Sequence, residues 1–219
     1  MNINITDICN LSRIPVCIEK NPLYVTSVEI LNDENIKPED TYLYKFYKQF
    51  KPKTLKQLFN IKNSSFSFLD NSYKTSFLPW IHYKPVNTED VAFIDFDVSQ
   101  KVLKLKNLIS SIQQHNYTPE KFPTRQGGIC GYFLQYKKQS RFYVTAGNHR
   151  VAVLAALYKD NSIPVIFENK SFLKEKEMTN RGPILDTYSS ENIDDWPSIQ
   201  HNTIHKECAL QIISSYFNN

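Results

Sequence analysis

The residues best placed to do chemistry lie in one stretch, Arg141-Phe-Tyr-Val-Thr-Ala-Gly-Asn-His-Arg150. Four apolar or β-branched residues, Phe142–Thr145, run into Ala146-Gly147-Asn148, and His149-Arg150 open an apolar run with helical spacing. A glycine at that junction permits a tight strand-to-helix turn and close backbone approach. The helix start offers amide N–H groups without intrahelical acceptors and the positive end of the dipole. His149 and Arg150 add side-chain donors, and the Arg fork suits phosphate oxygens. Gly147, Asn148, His149 and Arg150 together make a candidate anion site, most naturally for phosphate. The plainer alternative is a tight turn in which His149 caps locally and Arg150 pairs with a surface acid.

Two other groups could serve such a site. Asp95 and Asp97 leave an expected strand, VAFIDF (91–96), toward a helix beginning at 101. Asp97 is the candidate catalytic base or metal ligand and Asp95 the fallback; the alternative is a turn or N-cap aspartate. Arg125, Gly127 and Gly128 form a basic, flexible loop able to close over a ligand, or an ordinary connection. His201 and His205 are four apart, but His201 precedes the expected helix, so they read as structural rather than as metal ligands; no metal site is assigned.

The elements that must position these groups follow from hydrophobic period. Residues 89–170 read as β-α-β-β-α-β: a strand at 91–96, a helix at 101–114, a hairpin of 129–137 and 141–145, a helix at 149–158 and a strand at 163–167. The order predicts an α/β (α+β) fold with a mixed sheet. Residues 1–88 look irregular and are expected to pack on this domain. Within them, Tyr42, Tyr44, Phe46, Tyr47 and Phe50 alternate with Lys45, Lys48, Lys51, Lys53 and Lys56. That texture suits a core helix with Leu43, Phe46, Tyr47 and Phe50 inward, a stacking surface for single-stranded nucleic acid, or a membrane or partner contact. Residues 171–219 read as a connector and a docking helix from about 203 to 217, with Ile204, Cys208, Ile212 and Tyr216 on one face. Trp80 and Trp196, each beside a proline, are expected packing anchors.

Composition sets bounds. The chain has 219 residues, 41% apolar and 13% aromatic, enough for a substantial core and too apolar for a disordered segment. No run of about 18 apolar residues is present, so no membrane span is expected. The N-terminus lacks the basic-then-apolar pattern of a signal peptide, which makes a cytoplasmic location the expectation. Cys9, Cys17, Cys130 and Cys208 form no CxxC pair and read as reduced thiols. A net charge of +4 is only mildly basic, and with no evident recognition helix, sequence-specific duplex binding is not expected.

LKNLISSIQQHNY (105–117) and VTAGNHRVAVLAALYKDNSIPVIF (144–167) resemble the ParB/sulfiredoxin-like superfamily. Its members share a strand, a helix, a hairpin, a Gly-x-His-Arg or Gly-Glu-Arg-Arg turn, an Ala/Leu-rich helix and "IPV". The resemblance covers about a third of the chain and implies a nucleotide-binding domain. It makes Gly147 the turn glycine and His149 and Arg150 the phosphate ligands. Asn148 stands where sulfiredoxins carry their reactive cysteine, so sulfinic acid reduction is not implied. Ala146 and Asn148 replace the Asp and first His of the serine kinases of the group. ParB proteins have Glu and Arg at positions 148 and 149 and continue into a helix-turn-helix region, for which nothing after 170 is suitable. More faintly, LPW at 78–80 and Trp196-Pro197 with a helix ending Tyr216-Phe217 resemble bacterial proteins associated with surface-polysaccharide gene clusters.

The implied function is binding of a nucleoside triphosphate with Mg²⁺, with two outcomes open. One is ATP- or NTP-dependent phosphotransfer to a small-molecule acceptor, with Asp97 as base. The other is a nucleotide-gated module without catalysis. A DNA-binding or nuclease-like protein ranks third.

Overall fold

The computed structural model describes residues 1–11, 14–70, 77–83, 97–119, 127–158, 162–167 and 185–218. The expected strand at 91–96, Asp95 and Arg125 lie outside these residues. Strands β1 (Asn2–Asn4), β2 (Ile8–Leu11) and β3 (Ile14–Cys17) come first. Helices α1 (Pro22–Asn32), α2 (Tyr42–Gln49), α3 (Leu55–Leu58) and α4 (Val98–His115) follow. The hairpin β4 (Cys130–Tyr136) and β5 (Gln139–Ala146) leads to α5 (Asn148–Tyr158), then β6 (Ser162–Pro164) and β7 (Ile166–Phe167). The C-terminal part holds β8 (Thr187–Ser189), α6 (Pro197–Gln200) and α7 (Lys206–Ser214).

The fold is mixed α/β. One six-stranded sheet runs β3-β2-β5-β4-β7, with β8 also pairing β4; β1 and β6 form a separate antiparallel pair. β2 lies parallel to β5, and β4 antiparallel to it, so the sheet is mixed. β4 is flanked on its far side first by β7 at Cys130 and Gly131, then by β8 from Phe133 to Gln135.

Side chains on successive strand residues point to opposite faces, and two cores result. Ile8, Phe142 and Val144 face a helical layer built from Leu23 and Ile30 of α1, Leu43 and Tyr47 of α2, Val102, Leu105, Ile109 and Ile112 of α4, and Val151–Ala155 of α5. Cys9, Tyr132, Leu134 and Tyr143 face an aromatic layer with Leu55, Phe59, Trp80, Tyr188, Trp196 and the α7 face Cys208, Ala209, Ile212 and Ile213. Trp80 and Trp196 are fully buried, in edge-to-face contact at 5.6 Å, as their expected anchor role requires.

Residues 1–70 differ from the irregular region expected. They supply two strands of the main sheet and helices to both layers. The α1 start carried a local signal: Asn21 accepts from the Leu23 amide and Pro22 takes the first helical position. In α2, Leu43 and Tyr47 are buried, Phe46 and Phe50 half-buried, and Lys45 and Lys48 exposed, which is the core-helix arrangement. The expected strand 163–167 is two strands, because the Val165 amide donates to Met1 O and β6 pairs β1 while β7 pairs β4. The expected helix 203–217 is α7, entered by a turn in which Asn202 is left-handed at φ 51°.

Candidate functional site

The hairpin delivers the site. At its open end Cys130 pairs with Ala146 but Gly131 pairs with Val144, so Thr145 is an extra residue, a bulge. The Thr145 hydroxyl donates to Cys130 O at 3.1 Å. Bulges re-aim the strand that carries them, and here the strand turns at once through Gly147 into α5. Gly147 has φ +90° and lies against the incoming strand: a Cβ there would sit 2.9 Å from Gly128 O and 3.0 Å from Ile129 Cα. Gly147 O accepts from the Val151 amide at 3.0 Å, closing the first turn of α5.

The structure brings Gly147, Asn148, His149 and Arg150 together on the wall of a cleft of about 350 Å³, completed by Lys104 and Leu108 of α4. Gly128 joins them, because Arg150 Nη1 donates to Gly128 O at 3.2 Å. The carbonyl thus holds the guanidinium at the cleft. Gly127 precedes it in a half-exposed turn. Lys104 and Leu108 were not anticipated from sequence. Lys101, Lys104 and Leu108 recur at helical spacing beside the apolar stripe of α4, and that was the available signal.

His149, expected as a side-chain donor, is a neutral one. Burial, reinforced by the positive charges of Lys101, Lys104 and Arg150, pushes its imidazole down to about 4 from an ordinary value of 6.5. It is neutral at pH 7 and retains one N–H. Among the described residues its Nε2 and the Asn148 Oδ1 are buried without a hydrogen-bond partner, a state that costs free energy until something pairs with them. Above pH 6.5 His149 is neutral folded or unfolded and contributes nothing. As pH falls toward 4 the unfolded chain takes up the proton and the folded chain does not, so stability should drop by about 2–3 kcal/mol. Urea denaturation at pH 4.5 and 7 should show that extra loss in the wild type and not in His149→Gln.

Asp97 sits elsewhere. It is exposed, and its Oδ1 accepts from the Gln100 amide at 3.3 Å as the N-cap of α4. It does not line the cleft, and Lys104 is seven residues along the helix, about 10 Å of axial rise. A cap predicts that Asp97→Ala costs about 1 kcal/mol of stability while Asp97→Asn, an equally good cap, costs little. A catalytic base predicts that Asp97→Asn loses turnover; chemical denaturation of both variants beside a nucleotide hydrolysis assay separates the roles.

Two other clefts lack this character. One of about 360 Å³ between α1 and α4 holds Lys106, whose Nζ donates to Glu34 O and Ile36 O. One of about 520 Å³ between Ser65–Phe68 and Asn202–Cys208 includes no Lys or Arg. His201 and His205 are both exposed. Among the described residues no three His, Cys, Asp or Glu cluster to hold a metal, and no helix is long and apolar enough to cross a membrane.

The chain was compared with protein-family models, curated proteins and solved structures, and none matches.

Proposed function

We propose that the chain binds the phosphate groups of a nucleotide in the cleft at the first turn of α5. One observation carries this reading: Gly147–Arg150, with the cations Lys104 and Arg150, line a single cleft at a helix start, and His149, one of the lining residues, has a buried ring nitrogen without a partner among the described residues. Helix-start amides, a dipole end and two permanent cations are the ingredients of a phosphate site. The succession α4-β4-β5-α5-β6 supports assignment to the ParB/sulfiredoxin-like type, and the nucleotide rather than free phosphate follows from that resemblance.

The lining does not favour a protein-held Mg²⁺. It contains no carboxylate among the described residues, and Mg²⁺ sites use oxygen donors, usually one or two carboxylates. Any Mg²⁺ would arrive on the nucleotide. With Asp97 engaged as a cap outside the cleft, a nucleotide-responsive binding module accounts for the site better than phosphotransfer by Asp97.

A thermal-shift panel of ATP, CTP, GTP and ADP, each with and without Mg²⁺, tests the reading. A ligand at a hundredfold excess over its Kd stabilises by about 2.7 kcal/mol. Arg150→Ala should weaken binding by about 1.5–3 kcal/mol, the worth of a hydrogen bond to a charged group. Titration curves unchanged by Arg150→Ala would place binding elsewhere.

A further inference from the structure

The cleft joins two features that are costly apart. Lys104 of α4 and Arg150 of α5 line the same cleft as His149, the charge of Lys101 also acts on its imidazole, and the His149 Nε2 is buried with no partner among the described residues. Among the described residues no acidic group acts on the imidazole. The other elements packed on α5 are α1 and β2, and the Gly128–Ile129 segment passes beside its first turn; among the described residues none of them presents a charge to His149. Lys101 is itself held over the Tyr47 ring at 4.8 Å, with its Nζ 3.4 Å from the Tyr47 hydroxyl, so the cluster is fixed in place from α2. A dianion in this cleft would face Lys104 and Arg150 and offset the repulsion that, added to burial, keeps the imidazole neutral. It would also supply an oxygen acceptor for a second ring N–H.

We propose that the cleft takes up a dianionic phosphoryl group together with one proton, which lodges on His149 between the bound anion and the Lys101, Lys104 and Arg150 cations. This rests on the phosphate-binding reading and adds its regulation: affinity rises as the medium becomes more acidic. No bond other than N–H is made; the proton comes from water or buffer. By linkage, uptake of one proton changes the dissociation constant by about tenfold per pH unit between the titration points of the empty and the occupied cleft.

Inorganic sulfate is the cleanest probe, because it stays a dianion throughout pH 5–8 and every proton taken up belongs to the protein. The full chain would be titrated with sodium sulfate at pH 5.5, 6.5 and 7.5, at ionic strength matched with sodium chloride. Amide shifts of Gly147–Arg150 report occupancy, and the ring signals of His149 report its protonation. The expected results are about tenfold tighter binding at pH 5.5 than at 6.5 and an upward move of the His149 titration in saturating sulfate. His149→Gln should bind more weakly than the wild type at pH 5.5, with affinity nearly independent of pH. Sulfate that shifts those amides equally well at all three pH values, with His149 unmoved, would overturn the proton uptake and leave the phosphate reading standing. No amide response at any pH, to sulfate or to inorganic pyrophosphate, would overturn both.

Discussion

Trp80→Ala is expected to destabilise the chain by about 3–5 kcal/mol, the usual range for emptying a buried aromatic site. Trp80 is fully buried at the centre of the aromatic layer. Its ring meets Trp196 at 5.6 Å, Tyr216 at 5.8 Å and Tyr143 at 6.3 Å. Its Nε1 donates to the Tyr132 hydroxyl at 3.0 Å, and that hydroxyl belongs to a fully buried tyrosine on β4. Removing the indole therefore leaves a large void and strands a buried polar group. For a chain of this length the loss corresponds to a fall in Tm on the order of 10 °C. Trp80→Phe should recover most of the packing and keep a deficit of about 1–2 kcal/mol from the missing donor. Urea denaturation of the two variants gives the comparison. Near-equal stability of Trp80→Ala and wild type would mean that the aromatic layer is not part of the core.

Gly147→Ala is the second large effect. The residue is at φ +90°, where an L side chain is strained, and the new Cβ would press on the backbone of Gly128 and Ile129 at about 3 Å. Both terms act together, and a loss on the order of 2–4 kcal/mol is expected. The substitution also pushes the turn away from the segment before β4 that holds Arg150 through Gly128 O. Nucleotide binding should fall with it, beyond what residual folding explains. Circular dichroism fixes the folded fraction, and ligand titration at a temperature where the variant is folded isolates the effect on the cleft.

The parts of this structure that could be read from sequence are those whose signals are local. The β4–β5 hairpin and α5 alternate and then repeat cleanly, and the Gly147 turn between them is marked by its glycine. The packing roles of Trp80 and Trp196 followed from large rings next to prolines. Less legible were β1–β3, only three or four residues each. Strands so short have no measurable period, and β1 and β2 find their partners β6 and β5 more than a hundred residues away. The site shows the same division. Gly147, Asn148, His149 and Arg150 are contiguous and were visible; Lys104 reaches them only because α4 packs against α5. The neutrality of His149 depends on burial and on Lys101 and Lys104, so no local pattern carries it. For Asp97, sequence offered two roles, and its hydrogen bond to the Gln100 amide, outside the residues that line the cleft, favours the cap.

The most direct test of the account is amide-resolved NMR mapping of ATP and inorganic pyrophosphate on the full chain. The account predicts saturable shifts that are largest at Gly147, Asn148, His149 and Arg150, extend to Gly128 and Lys104, and are weakened at least tenfold in Arg150→Ala. Saturable shifts centred instead on Ser65–Phe68 and Asn202–Cys208, or no saturable shift with either ligand, would contradict it.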